Sequence, residues 1–118
     1  SNGGIMSASS AREQPVHTML SGPASGVVGA AYIASRSGVT EAVTLDIGGT
    51  SADVAVIRDG APVQSTEAVV GDFPIIMPAV DVFAVGAGGG SIAWFDEAGL
   101  LKLGPRSAGA SPGPACYG

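Results

Sequence analysis

The run Leu45-Asp46-Ile47-Gly48-Gly49-Thr50-Ser51-Ala52-Asp53-Val54-Ala55-Val56-Ile57 constrains this chain most. It joins an apolar strand to a glycine turn and then to a second apolar strand, with two carboxylates at the junction. Gly48 and Gly49 have no Cβ, so the backbone can turn sharply and bring its N–H groups close to an anion. Thr50 adds a hydroxyl donor, and Ser51 stands beside it. Asp46 would repel a phosphate directly, so its expected use is to hold a hydrated Mg²⁺ or to orient a water. That is the layout of a phosphate-binding hairpin, and a nucleotide is the first ligand to expect. The same residues also suit an ordinary β-hairpin whose Gly-Gly turn is capped by Asp and Thr side chains.

Two further glycine clusters favour the ligand reading. Ser21-Gly22-Pro23-Ala24-Ser25-Gly26 lies upstream and Val85-Gly86-Ala87-Gly88-Gly89-Gly90-Ser91 downstream. Gly88, Gly89 and Gly90 allow very close backbone approach, which suits a loop lying against nucleotide or substrate. A glycine-rich strand start or bulge is the alternative.

The 118 residues fit one domain or most of one, and 46% hydrophobic content is enough for a core. Charged residues make up only 13% of the chain, so part of its surface is expected to be covered by more protein. A net charge of −5 with no basic cluster argues against nucleic-acid binding through phosphate neutralisation. Backbone N–H groups and Mg²⁺ can still supply positive potential locally for a nucleotide. The single Cys116 excludes an internal disulfide and fits a reducing compartment. No apolar run approaches the roughly 20 residues of a membrane span, and no signal peptide is visible. A soluble, cytoplasmic chain with no membrane partner is expected.

Residues 1–20 are expected to form a connector with a short helix, through a capping box at Ser10-Ala-Arg-Glu13 and a stop at Pro15. Residues 21–38 supply a glycine loop and a helix from Pro23 to Ser37, ended by Gly38, with Gly26 and Gly29 letting it lie close to another backbone. The helix N-terminus favours an anion in front of it. Residues 42–103 carry a sheet, with strands at 42–47, 53–58 and 62–69, the last entered through an Asp59-Gly60 turn. Both faces of Val54-Ala55-Val56-Ile57 are apolar, which predicts a central strand covered on both sides. An apolar segment at 75–85 and a hairpin of 91–96 with 100–103 follow, and 104–118 has the character of an extended loop. Both ends look cut, so the chain is expected to be an internal fragment.

The remaining candidates are weaker. Asp81 lies in an apolar setting, where it suits either a ligand or a turn cap. His17 is better explained as a hydrogen-bonded residue than as a metal ligand, and Cys116 as a small buried hydrophobe than as a nucleophile. Trp94 and Phe95 are expected in the core.

The motifs in order resemble the hydantoinase A / 5-oxoprolinase family. The resemblance rests on Ser1-Asn-Gly-Gly-Ile-Met-Ser7, residues 21–30, Asp46-Ile-Gly-Gly-Thr-Ser-Ala-Asp53, residues 85–93 and residues 104–118, which together span nearly the whole chain. It implies an α/β fragment of ribonuclease-H-like, actin-like ATPase type, with a mixed sheet, hairpins and at least one packed helix. It further implies an ATP- and Mg²⁺-dependent hydrolase that opens cyclic amides such as hydantoin or oxoproline. On that reading Gly48, Gly49, Thr50 and Ser51, with Gly88, Gly89 and Gly90, hold ATP, Asp46 acts through Mg²⁺ or water, and Asp53 orients the loop. The missing remainder of its own chain and a second subunit of the hydantoinase B type are the implied partners. The same resemblance covers ATP-dependent ketone carboxylases, and a nucleotide-binding module without chemistry is a third reading. The isolated fragment is expected to be inactive.

Overall fold

The longest helix among the described residues forms where small residues are mixed with β-branched ones and no charge intervenes before Arg36. In the computed structural model, which describes residues 2–70 and 73–117, helix α2 runs Ser21–Arg36. The shorter α1, Ala8–Glu13, and a 3-10 turn, Pro15–Thr18, precede it. Among the described residues eight strands follow: β1 Ala42–Ile47, β2 Ala52–Arg58, β3 Ala61–Pro62, β4 Gln64–Val70, β5 Phe73–Val80, β6 Val82–Val85, β7 Ser91–Phe95 and β8 Leu101–Ser107. Ser1 and Gly118, which bound the outermost family stretches, lie outside the described residues.

The mixed α/β class is as expected. Among the described residues, 42–107 carry three sheets: β1, β2 and β3 in that order with β6 also paired to β2, then β4 with β5, and β7 with β8. The chain divides into two compact units, Ser1–Thr44 with Ala55–Val82, and Leu45–Val54 with Phe83–Gly118.

The core of the first unit follows from the helical period. Ala24, Val27 and Ala31 recur along one stripe of α2 and are buried with Ala55 and Ile57 of β2 and Val80 of β5. Small side chains on the helix permit close packing on a strand, and Ile57 fills the space they leave, with 1% of its surface exposed. Pro23 is tolerated because it sits in the first turn, where its missing N–H would have no intrahelical partner.

Several expectations are corrected. Residues 21–26 are the opening turns of α2 rather than a loop: Leu20 caps the helix from a left-handed φ of 57°, and Ser25 Oγ donates to Ser21 O at 2.6 Å. No described atom comes within 4 Å of a Cβ built on Gly26 or Gly29, so close backbone packing does not explain either. The short helix is capped by Ser7, whose Oγ accepts from Ser10 N at 3.1 Å, and not by Ser10. β2 is central as expected, pairing with β1, β3 and β6, but its faces are unequally covered over 54–57: Ala55 and Ile57 are buried, Val54 is half-buried and Val56 is 38% exposed. The apolar segment 75–85 is broken at Asp81, and β8 carries the last hairpin on to Ser107, into the expected loop.

The Asp59-Gly60 turn forms as the dipeptide predicts. Both residues take positive φ, 52° and 76°, and close the β2–β3 pair at Arg58 and Ala61. Asp59 N donates to Glu41 Oε1 at 2.8 Å and Gly60 N to Thr40 O at 2.9 Å. A Cβ at Gly60 would meet no described atom within 4 Å, so only left-handed strain opposes it. Gly60→Ala is therefore expected to lower unfolding free energy by about 1 kcal/mol, measured as a shifted denaturant midpoint. No change would show that the turn does not hold this conformation.

Candidate functional site

The second unit contains the 45–54 hairpin and, of the two other glycine clusters, the one at 86–91. β1 ends at Ile47 and β2 starts at Ala52, and Gly48 N donates across the turn to Ser51 O at 2.9 Å. That bond leaves Gly49 and Thr50 as an exposed tip. Asp46 is exposed one residue before the end of β1, and Asp53 is half-buried at the start of β2. Among the described residues neither carboxylate is held by a hydrogen bond or ion pair, so both are unspent.

The 86–91 loop comes to this tip. Gly89 N donates to Gly48 O at 2.9 Å and Gly90 N to Gly49 O at 2.7 Å. Gly88 N donates to Ser91 Oγ at 2.8 Å. A Cβ on Gly88 would lie 2.6 Å from both Gly48 O and Thr50 N, and one on Gly90 would lie 2.9 Å from Gly49 O and from Ser107 Oγ. Real Cβ atoms do not approach backbone that closely, so glycine is required at Gly88. The close approach that the three glycines permit is thus made to the hairpin of the same chain. Ala108 N continues the chain of bonds by donating to Gly90 O at 2.7 Å. Sequence reasoning missed Ser91 and Ser107 as parts of this arrangement; a serine closing the glycine run was the available signal for the first.

Of the three glycine clusters, the structure joins the two at 48–50 and 88–90, while 21–26 belongs to a helix of the other unit. The residues present suit a magnesium nucleotide. Mg²⁺ keeps several waters and is commonly held through one or two carboxylates together with phosphate oxygens. An exposed Asp46 fits that pattern, and no group of three or more His, Cys, Asp or Glu side chains among the described residues offers a protein-only cage.

The Hydantoinase/oxoprolinase family matches residues 1–118. The chain belongs to this family. The caprolactamase subunit alpha of Pseudomonas jessenii is 42% identical over all of the chain, which covers 17% of that relative. Two solved structures share the family resemblance in three dimensions. Acetone carboxylase, in its nucleotide-free structure, matches 78% of the chain at a TM-score of 0.69 and 40% identity, over 13% of its own length. The ATP-dependent caprolactamase from Pseudomonas jessenii matches 76% at 0.59 and 39% identity, again over 13% of its length. The chain therefore spans less than a fifth of these relatives.

The other candidates gain nothing from the structure. His17 lies half-buried in the 3-10 turn. Asp81 is exposed, so no burial penalty falls on its carboxylate, and its backbone N–H donates to Val63 O at 2.9 Å. Cys116 is exposed rather than a buried hydrophobe, because it lies in the 3-10 turn of the tail. Trp94 and Phe95 are exposed as well, since they sit on a two-stranded hairpin; the Trp94 indole N–H donates to Gly104 O at 2.7 Å. No helix among the described residues is long and apolar enough to cross a membrane.

Proposed function

We propose that this chain is the segment of an ATP-dependent cyclic amidohydrolase that holds the terminal phosphates of ATP on the 48–51 hairpin. The observation that carries the reading is the exposed Gly49-Thr50 tip, closed by the Gly48 to Ser51 bond and flanked by two unspent carboxylates. Gly48, Gly49, Thr50 and Ser51 supply backbone and hydroxyl donors, Gly88, Gly89 and Gly90 line the tip, Asp46 acts on a hydrated Mg²⁺ or a water, and Asp53, whose carboxylate holds no part of the turn, is the second carboxylate at its base. Phosphoryl transfer asks a protein for positioning and charge stabilisation, which backbone donors and carboxylates provide without a nucleophile. ATP, once bound, would supply a phosphoryl group to the ring carbonyl oxygen; water adding at that carbon would let the ring C–N bond break, the nitrogen leaving with a proton, and a second water would then release phosphate from the opened acyl group.

The caprolactamase relative is a subunit of an enzyme named for a cyclic amide, which supports the substrate class and a partner subunit; that this partner is of the hydantoinase B type is part of the proposal. Acetone carboxylase supports the alternative of a ketone carboxylase. Phosphate release by the intact protein with Mg-ATP decides between them. Stimulation by 5-oxoproline, hydantoin, N-methylhydantoin or a larger lactam is the expected result. Stimulation only by a ketone with bicarbonate would move the protein to the carboxylases, and none by either class would leave a nucleotide-binding module.

A further inference from the structure

The bonds at the hairpin tip fix more than a distance. In a trans peptide unit the C=O and the following N–H point in opposite directions. The 48–49 and 49–50 units are trans, and their two carbonyls, Gly48 O and Gly49 O, are both taken by the consecutive N–H groups of Gly89 and Gly90. Their N–H groups, those of Gly49 and Thr50, therefore point away from the 88–90 loop. Neither is spent on an acceptor among the described residues. Two adjacent N–H groups held with one orientation form an anion-binding concavity.

We infer that the 88–90 loop is a positioning clasp: by binding the Gly48 and Gly49 carbonyls it turns the Gly49 and Thr50 N–H groups outward as a fixed donor pair for phosphate. The loop's own N–H groups are committed, at Gly88 to Ser91 Oγ, at Gly89 to Gly48 O and at Gly90 to Gly49 O, so its contribution to phosphate goes through the hairpin. Ser91 is the tie that holds the clasp, since its hydroxyl accepts from Gly88 at 2.8 Å from the first position of β7. Gly88 is the point of closest approach, where no side chain fits. This inference rests on the phosphate reading proposed above.

The test uses the intact protein and three substitutions, Gly88→Ala, Ser91→Ala and Ser91→Thr, with two readouts. Hydrogen exchange across residues 86–92 without nucleotide reports the clasp, and the dissociation constant for Mg-ATP reports the donor pair. Gly88→Ala and Ser91→Ala are expected to speed exchange and to weaken Mg-ATP by about tenfold. Ser91→Thr, which keeps the hydroxyl, is expected to preserve both. Should Gly88→Ala fail to fold, the Ser91 pair carries the comparison alone. Unchanged exchange in the folded alanine variants would overturn the clasp. Faster exchange with undiminished Mg-ATP affinity would overturn the presentation of donors. A parent protein that binds no Mg-ATP would remove the phosphate reading itself, and exchange would still judge the clasp.

Discussion

Asp46→Asn in the intact protein is expected to lower ATP-dependent phosphate release by about 100-fold or more, the scale on which one preorganised electrostatic contact acts in transition-state stabilisation. The substitution keeps the size of the side chain and one oxygen acceptor while removing the charge. Asp46 is exposed on β1 and makes no described hydrogen bond or ion pair, so its replacement should leave the melting temperature where it was. That separation between activity and stability is what distinguishes a working carboxylate from a turn cap, whose loss would be felt in the fold. Titration with Mg²⁺ resolves the role further. A variant that needs more Mg²⁺ for residual turnover would place the metal at Asp46, and an unchanged requirement with a depressed kcat would leave the carboxylate orienting water. Turnover at the parent rate would remove Asp46 from the chemistry.

The largest loss of stability is expected from Ile57→Ala, about 2–5 kcal/mol, because the residue is a fully buried aliphatic whose neighbours are too small to fill the cavity. Its partners are Ala24, Val27 and Ala31 on α2, Ala55 beside it on the same face of β2, and Val80 of β5. Three of these five are alanines anchored on backbone, so collapse into the space requires the helix to move as a body. The adjacent Val56 points to the other face and is 38% exposed, so Val56→Ala is expected to cost much less. Thermal unfolding of both variants in the intact protein makes the comparison. Equal losses at 56 and 57 would show that the opposite face is packed there too, and would remove the α2 stripe as the chief support of this strand.

The parts of this structure that were legible in the sequence are those decided locally. The Asp59-Gly60 turn needed two positive φ values, and the dipeptide announced them. The end of α2 needed a stop after Arg36, which Gly38 at φ 73° provides just beyond Ser37. The hairpin at 48–51 was marked by two glycines between apolar runs. Where two local solutions compete, sequence was a poorer guide. Ser7 and Ser10 stand three residues apart and either suits a cap, but only Ser7 has the extended backbone, ψ 156°, that presents its hydroxyl to the helix. Gly22 and Pro23 suit a loop and a first helical turn equally, and the apolar residues beyond them decided for the helix. Burial was least legible of all. Trp94, Phe95 and the outer face of β1 are as apolar as any core, and their exposure depends on what covers them, a tertiary property that no local pattern encodes. The partner of the 88–90 loop was hidden for a related reason: glycine grants close approach without naming what is approached.

A site whose geometry is set by main-chain bonds has an unusual mutational profile. Truncating side chains one by one, the ordinary way to find functional residues, removes nothing from Gly48, Gly49, Gly88, Gly89 or Gly90. What damages Gly88 and Gly90 is enlargement, because a Cβ at Gly88 would lie 2.6 Å from the hairpin backbone and one at Gly90 2.9 Å from Gly49 O, whereas Gly48, Gly49 and Gly89 have room for a methyl group. A scan that deletes side chains can therefore see Asp46, Thr50, Ser51, Asp53 and Ser91 but passes over Gly88 and Gly90, which only a scan that adds methyl groups will map.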